Sequence, residues 1–204
     1  MQVHTFVVGP LENNSFLIEN EQQSCLIVDP GMDCQQMIEY IQSKQLKPQA
    51  IVLTHGHFDH IMGIPLVLEH FPNIDIYLHS GDKDYLKDAH LNGASLMGVD
   101  FSLSIVPIEL DSGKTNIGDF SFEVMNLPGH TPGGCAFIFD KHCLCGDSIF
   151  AGSIGRTDLP GGNHHQLIEA LRNKLMQLDE DVVLYPGHGP TTNIAYEKNN
   201  NPYL

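Results

Sequence analysis

The sequence is short of positive charge. Ten Lys and Arg residues stand against 25 Asp and Glu, giving a formal charge of −15. Only two arginines occur, Arg156 and Arg172, and there is no basic run, so a nucleic-acid partner is not expected. Long apolar runs are also missing: nothing approaches the ~18 residues of a membrane span. The opening "MQVHTFVVGPLENNSF" lacks the charged start and apolar stretch of a secretory leader. Cysteine is sparse and odd in number, five in all, with no spacing that reads as a disulfide framework. Cys143 and Cys145 flank Leu144 in an apolar run and would share one face of a strand as two buried thiols. These features together fit a cytoplasmic protein.

What remains is a chain of 204 residues, 42 % apolar and rich in Gly and Pro, long enough for one well-buried domain over 1–204. "VHTFVV", "NSFLIE" and "SCLIVD" read as strands, the last closing on the turn Asp29-Pro30-Gly31. A helix follows from about Cys34 to Gln45 with Met37, Ile38 and Ile41 on one face. "QAIVLT" is a buried strand, "IPLVLEHF" a helix, "IDIYLHS" a strand and "DKDYLKDA" a helix. Asn92 to Leu103 is a loop or helical turn. Strands return at "SIVPIEL", "TNIG", "FSFEVMNLP", "CAFIFD" and "HCLCGDS". A Gly-rich loop, "AGSIGRTDLPGG", precedes a helix from about His164 to Leu178, and "DVVLYP" is the last strand. This is a mixed α/β chain whose sheets pack on each other with helices outside.

The residues that carry chemistry are concentrated. "VLTHGHFDHIMG" holds His55, His57, Asp59 and His60 within six positions. "VLTHGH", "MNLPGH" and "VLYPGH" each run from an apolar segment into Gly-His, delivering His57, His130 and His188 just past a strand's end. In α/β folds that edge is where ligands collect, and Gly lets the backbone turn or approach closely. His55 and His57, two apart in extended chain, point to one side and can reach one ion. Asp59 and His60 begin the next helix and can be aimed elsewhere. One ion then takes His55, His57 and His130, and a second takes Asp59, His60 and His188. Asp147, after an apolar strand and a Gly, bridges them. Imidazole and carboxylate ligands suit two divalent ions of Zn, Fe or Mn. Asp29 is a candidate partner for the outer nitrogen of a ligand ring. His4, His70, His79, His90 and His142 read as surface or satisfied residues, and His164 and His165 as polar residues of a helix start near the site.

"THGHFDH", "PGHTPG", "GDSIF" and "YPGHGP", in this order, resemble the metallo-β-lactamase fold in its dinuclear hydrolase branch. The likeness runs from "LIVDPG" to "NPYL". "FAGSIGRTDLPGG" is similar to the short bacterial glyoxalase II-like enzymes. The resemblance implies an αββα sandwich with its site along one edge of the two sheets, and the same seven ligands. Longer glyoxalase II enzymes carry a C-terminal helical domain that helps to bind glutathione. This chain stops soon after His188, which leaves the thiol carrier open.

The expected chemistry is hydrolysis of a small acyl-thiol such as S-lactoylglutathione. Two cations would bring the pKa of a shared water from ~15.7 to near neutrality. A thiol of pKa about 8.5 leaves without a strong general acid, and Asp59 would help to orient the water. Arg156 corresponds to a basic position that helps to bind the glutathione carboxylate in the longer enzymes. Its alternative is to pair with Asp158 and stiffen the loop. Asn92–Phe101 is a candidate lid. The nearest rival is a persulfide dioxygenase-type oxidoreductase holding one iron on His55, His130 and Asp147. A secreted β-lactamase fits less well without a leader or a ligand cysteine, and a nuclease is disfavoured by charge. A non-catalytic metal protein would need a closed coordination shell.

Overall fold

The computed structural model describes residues 1–204. The first half of the chain builds one sheet. Strands β1 (Gln2–Val8), β2 (Asn13–Glu19) and β3 (Ser24–Val28) form an antiparallel meander. Helix α1 (Gln35–Ser43) then crosses over to β4 (Lys47–Val52), parallel to β3. Two short helices, α2 (Phe58–Ile61) and α3 (Ile64–His70), lead to β5 (Asp75–Leu78), and β6 (Ile108–Glu109) closes the edge, both parallel additions.

The second sheet opens with β7 (Gly113–Ile117), β8 (Phe120–Asn126), β9 (Cys135–Phe139) and β10 (His142–Gly146), all antiparallel. A small hairpin of β11 (Ile149–Phe150) and β12 (Ser153–Ile154) stands apart. Helix α4 (His164–Asn173) then returns the chain to β13 (Val183–Pro186), parallel to β10. Strand β14 (Thr192–Asn193) and helix α5 (Ile194–Asn200) finish the fold.

Alternation along the strands sorts the apolar side chains into three layers. Phe16, Ile18, Leu26, Val28, Ala50 and Val52 face Phe122, Val124, Phe137 and Leu144 between the two sheets. Their neighbours Leu17, Ile27, Ile51 and Leu53 point the other way, onto Met37, Ile38 and Ile41 of α1 and Val67 of α3. On the far side Ala136, Cys143, Cys145 and Leu184 pack against Leu167, Ala170 and Leu171 of α4. The result is the expected α/β sandwich, helices–sheet–sheet–helices. The Cys143–Cys145 pair lies on one face, fully buried, and burial pushes the Cys143 thiol up to about 12. No helix is long and apolar enough to cross a membrane.

Three expected elements come out differently. "DKDYLKDA" forms only 3₁₀ turns, Ser80–Asp82 and Tyr85–Lys87. The Asp88 side chain accepts from the His90 and Leu91 N–H groups, a local bond that competes with helix continuation. "SIVPIEL" pairs only at Ile108–Glu109, because Pro107 has no N–H to give a ladder. The helix from His164 ends at Asn173 and continues as a 3₁₀ turn, Leu175–Gln177. The α5 helix, capped by the Asn193 side chain on the Tyr196 N–H, and the β11–β12 hairpin were not foreseen.

The two sheets are stitched together at one edge. The Asn14 N–H donates to Gly187 O (2.7 Å), and the Asn14 side chain donates to Pro186 O and Gly189 O. Cys135 N–H donates to Thr54 O (2.8 Å). With the pairing of β3 to β4, β8 to β9 and β10 to β13, these bonds bring the ends of β3, β4, β8, β10 and β13 to one place.

Candidate metal centre

Each of those strand ends delivers one part of the site. The residues after β4 carry His55 and His57, and α2 carries Asp59 and His60. The turn after β8 presents His130, β10 ends directly before Asp147, and β13 ends two residues before His188. Gly129 makes its turn with φ +134°, which a side chain would resist. Gly187 lies against His60: an added Cβ would stand 2.6 Å from His60 Cε1.

The structure brings all seven expected ligands into one cluster. His55, His57 and His130 converge as one trio and Asp59, His60 and His188 as another, each with donor atoms within 4.8 Å of one another. His57 Nδ1 and His130 Nε2 come to 2.8 Å. His188 Nε2 lies 3.1 Å from Asp59 Oδ2. Asp147 stands between the trios. Its Oδ2 is 3.6 Å from His130 Nε2 and 3.6 Å from His188 Nε2, and its Oδ1 is 3.3 Å from His60 Nε2.

The donor atoms fit a metal ion. His55 Nε2, His60 Nε2 and Asp147 Oδ1 are buried without any hydrogen-bond partner. An orphaned polar atom costs ~1–3 kcal/mol, and cations that take these lone pairs, one in each trio, remove that cost. Charges agree. Burial, reinforced by His60, holds His55 well below its ordinary pKa, and burial with His130 lowers His57 to about 3, so both are neutral imidazoles with lone pairs to give. Burial alone would raise the Asp147 pKa, but His60 and the neighbouring imidazoles hold it well below the carboxylate range. His60 differs: burial opposes charging it, but Asp59 and Asp147 overcome that and hold its pKa well above the ordinary value, so an ion bound there takes the place of a proton.

The outer nitrogens of four rings are held by the protein, which fixes which nitrogen faces inward. His60 Nδ1–H donates to Asp29 Oδ2 (3.0 Å). Thr54 Oγ1–H donates to the same oxygen (2.5 Å) and accepts from His55 Nδ1–H (3.0 Å). A single buried carboxylate thus orients one ring of each trio, and Asp29 is the support expected. Asp29 also clusters with His55 and His60 as a third group with metal-ligand spacing. Its oxygens are already taken by His60 and by the Thr54 hydroxyl and N–H, so it acts as a support and not as a ligand. His130 Nδ1–H donates to Arg156 O (2.7 Å) and His188 Nδ1–H to Leu11 O (2.9 Å). Thr54 and these two carbonyls were invisible as motifs. A hydroxyl directly before a ligand histidine was the one available signal.

Above the cluster lies a cavity of about 490 Å³. Asp59, Asp147, His57, His130 and His188 form its polar floor, and its walls are largely apolar, with Phe58, Phe150 and Leu159 among them. The Asn92–Phe101 segment contributes Asn92, Gly93, Leu96 and Met97 to the wall, with Leu96 and Met97 exposed. Arg156 also lines it, yet its guanidinium forms a fork with Asp158, Nε to Oδ1 at 2.7 Å and a terminal nitrogen to Oδ2 at 2.8 Å. That pairing pushes the Asp158 carboxyl down to about 2. His164 and His165 do not line the cavity, and His165 faces Glu169 on the surface.

Comparison with known proteins bears on this geometry. A family model described as "Metallo-beta-lactamase superfamily" matches residues 8–188. The "Probable metallo-hydrolase YqgX" of Bacillus subtilis is 41 % identical over 202 residues, 97 % of this chain and 94 % of that protein. The "Hydroxyacylglutathione hydrolase GloC" of Haemophilus influenzae is 33 % identical over 100 % of this chain and 98 % of its own length. Among solved structures, "BLEG-1 B3 metallo-beta-lactamase" superposes with TM-score 0.95 at 37 % identity, covering 100 % of this chain and 99 % of that one. "TTHA1623 in a di-iron-bound form" superposes with TM-score 0.89 at 34 % identity, covering 99 % and 100 %.

Proposed function

The chain belongs to the metallo-β-lactamase superfamily, and from that premise we propose that it is a dinuclear metallohydrolase that cleaves a thioester, as the glyoxalase II-like enzymes do. The observation that carries the reading is the pair of ligand trios sharing Asp147. His55, His57 and His130 would hold one divalent ion, Asp59, His60 and His188 the other, with Asp147 between them. Zinc suits these ligands, and so do iron and manganese; the di-iron form of TTHA1623 keeps iron in view. Bound there, such a pair supplies a water of near-neutral pKa and a charge that polarises the substrate carbonyl.

The chain's own residues supply the rest. Burial works to raise the Asp59 pKa, but His60 and the bond from His188 lower it, so Asp59 is a carboxylate at neutral pH. It can accept the hydrogen bond that orients the attacking water. The leaving group needs little help, since a thiol of pKa about 8.5 departs as thiolate. That matches a cavity floor whose every acidic or imidazole side chain belongs to the ligand set. The apolar walls exclude competing water and seat the body of the substrate.

Arg156 is the proposed contact for an anionic end of the substrate. Its partner Asp158 is exposed, an exposed pair of this kind contributes little, and a substrate carboxylate can displace it. The acidic surface argues for a small-molecule substrate over a nucleic acid, and five free, buried cysteines favour a reducing, cytoplasmic setting.

The test is turnover of S-lactoylglutathione and of an uncharged acetyl thioester by metal-loaded protein, with a chromogenic β-lactam alongside. The proposal requires thioester cleavage that stops on chelation. Cleavage of the β-lactam without either thioester would refute it and favour a β-lactamase, as the relative BLEG-1 is named. A mononuclear iron oxidoreductase using His55, His130 and Asp147 would leave the Asp59–His60–His188 trio without a task.

A further inference from the structure

Five histidines surround the candidate centre, and four have an outer ring nitrogen bonded to the protein. His57 does not: its Nε2 is buried and meets no protein group. Its placement therefore rests on packing, with the Tyr85 ring 5.9 Å away, and on how its backbone is held. The residue before it shows how. The Gly56 N–H donates to Asp82 Oδ2 (2.9 Å). That oxygen also accepts from the Thr131 hydroxyl (2.7 Å), and Asp82 Oδ1 accepts from the Gly133 N–H (2.6 Å). Asp82 is 0 % exposed, as is Thr131. One buried carboxylate thus ties the backbone between His55 and His57 to the turn that follows His130.

Packing around this contact leaves no slack. A Cβ on Gly133 would stand 2.7 Å from Asp82 Cγ, and one on Gly56 would stand 2.5 Å from Tyr85 Cβ. Only glycine lets the two ligand loops and the Asp82 turn approach this closely. Asp29 has the matching task next door, where it holds His60 directly and His55 through Thr54.

We propose that Asp82 is a positioning residue for the His55–His57–His130 half-site, setting the distance between the two loops whose imidazoles form it. The inference rests on the dinuclear reading above. It implies that the two half-sites can be weakened separately: Asp82 acts on one trio and makes no contact with Asp59, His60 or His188.

In Asp82→Asn the side chain keeps its shape but has one acceptor oxygen for three donors, and its NH₂ faces an N–H. Zn²⁺ is titrated into metal-free protein while long-range ¹H–¹⁵N spectra of the histidine rings are recorded, so that each ring reports its own occupancy. The expected result is a 10- to 100-fold loss of Zn²⁺ affinity, the usual size for a supporting residue, read at His55, His57 and His130 and absent at His60 and His188. Thr131→Val removes one donor and should show a smaller loss at the same three rings, and Thr131→Ser should restore it. That pair carries the test should Asp82→Asn not fold. Equal weakening at all five rings would mark Asp82 as merely structural, and unchanged affinity would give it no role at the metal; either result overturns the inference. Were no ring of the unaltered protein to respond to Zn²⁺, the dinuclear reading itself would fall, which is a distinct outcome.

Discussion

Asp29→Asn exposes the logic of the centre with the smallest chemical change. The Asp29 carboxylate is 0 % exposed and accepts three bonds: Thr54 N–H at 2.7 Å, the Thr54 hydroxyl at 2.5 Å and His60 Nδ1–H at 3.0 Å. An amide of the same size accepts through one oxygen and donates through nitrogen. If the oxygen keeps the Thr54 N–H, the NH₂ faces His60 Nδ1. That ring can then be satisfied only by accepting, which moves its proton to Nε2. His60 Nε2 is the buried, unpartnered nitrogen aimed at Asp147, and once protonated it has no lone pair for an ion. The expected cost is 10- to 100-fold in affinity at the Asp59–His60–His188 half-site, about 1.4–2.7 kcal/mol. The mismatched donor adds ~1–3 kcal/mol of destabilisation, survivable for a domain of ~5–15 kcal/mol. The assay is competition for Zn²⁺ against a chelator of known affinity, with thermal unfolding of metal-free protein as the fold control. An Asp29→Asn protein that binds both ions as tightly as the unaltered one would refute the tautomer argument.

Four further outcomes follow from the same geometry. Asp147→Ala should lose metal and turnover together, because Asp147 reaches both trios; full activity in that variant would remove its bridging role. Arg156→Ala should raise KM for an anionic thioester while leaving an uncharged one unaffected; an unchanged KM would mean that Arg156 only pairs with Asp158. In metal-free protein His57 stays neutral down to about 3, whereas its unfolded counterpart takes a proton below about 6.5. The unfolded state then binds more protons across that window, so stability should fall as pH drops through it, by about 1.4 kcal/mol per pH unit for such a group. His55, also held down by burial, adds a slope of the same sign, while His60 and His188, whose pKa values are raised, are protonated in both states below 6.5 and add no slope there; a flat denaturation profile between pH 6.5 and 4.5 would contradict the shift. All five cysteines are free and buried, so a thiol reagent should titrate none in the native protein and five after unfolding.

The candidate ligands that converge were legible because most are local or repeated: His55, His57, Asp59 and His60 share one loop, Gly-His recurs at strand ends, and Asp147 follows an apolar strand and a Gly. Strands with alternating apolar residues were equally plain, since Leu17 against Phe16 and Ile18 already encodes two packed faces. Support for the site was harder to see. Asp29 stood out beside a turn, but Thr54, Leu11 and Arg156 act through a hydroxyl and two carbonyls whose value depends on what lies opposite. Asp82 was hidden for the same reason, inside a stretch whose spacing resembles a helix. Its carboxylate is committed to Gly56, Thr131 and Gly133, and only tertiary structure brings those residues together. Arg156 shows the reverse: its position in the Gly-rich loop was readable, whereas its fork with Asp158 is a fact of conformation.

Metal content per chain, measured by plasma emission on protein that is actively hydrolysing a thioester, tests the central claim most directly. Two ions per chain are expected, with turnover lost as they are removed and regained as they return. One iron per chain, with oxygen consumed on a glutathione persulfide and no thioester cleaved, would contradict it.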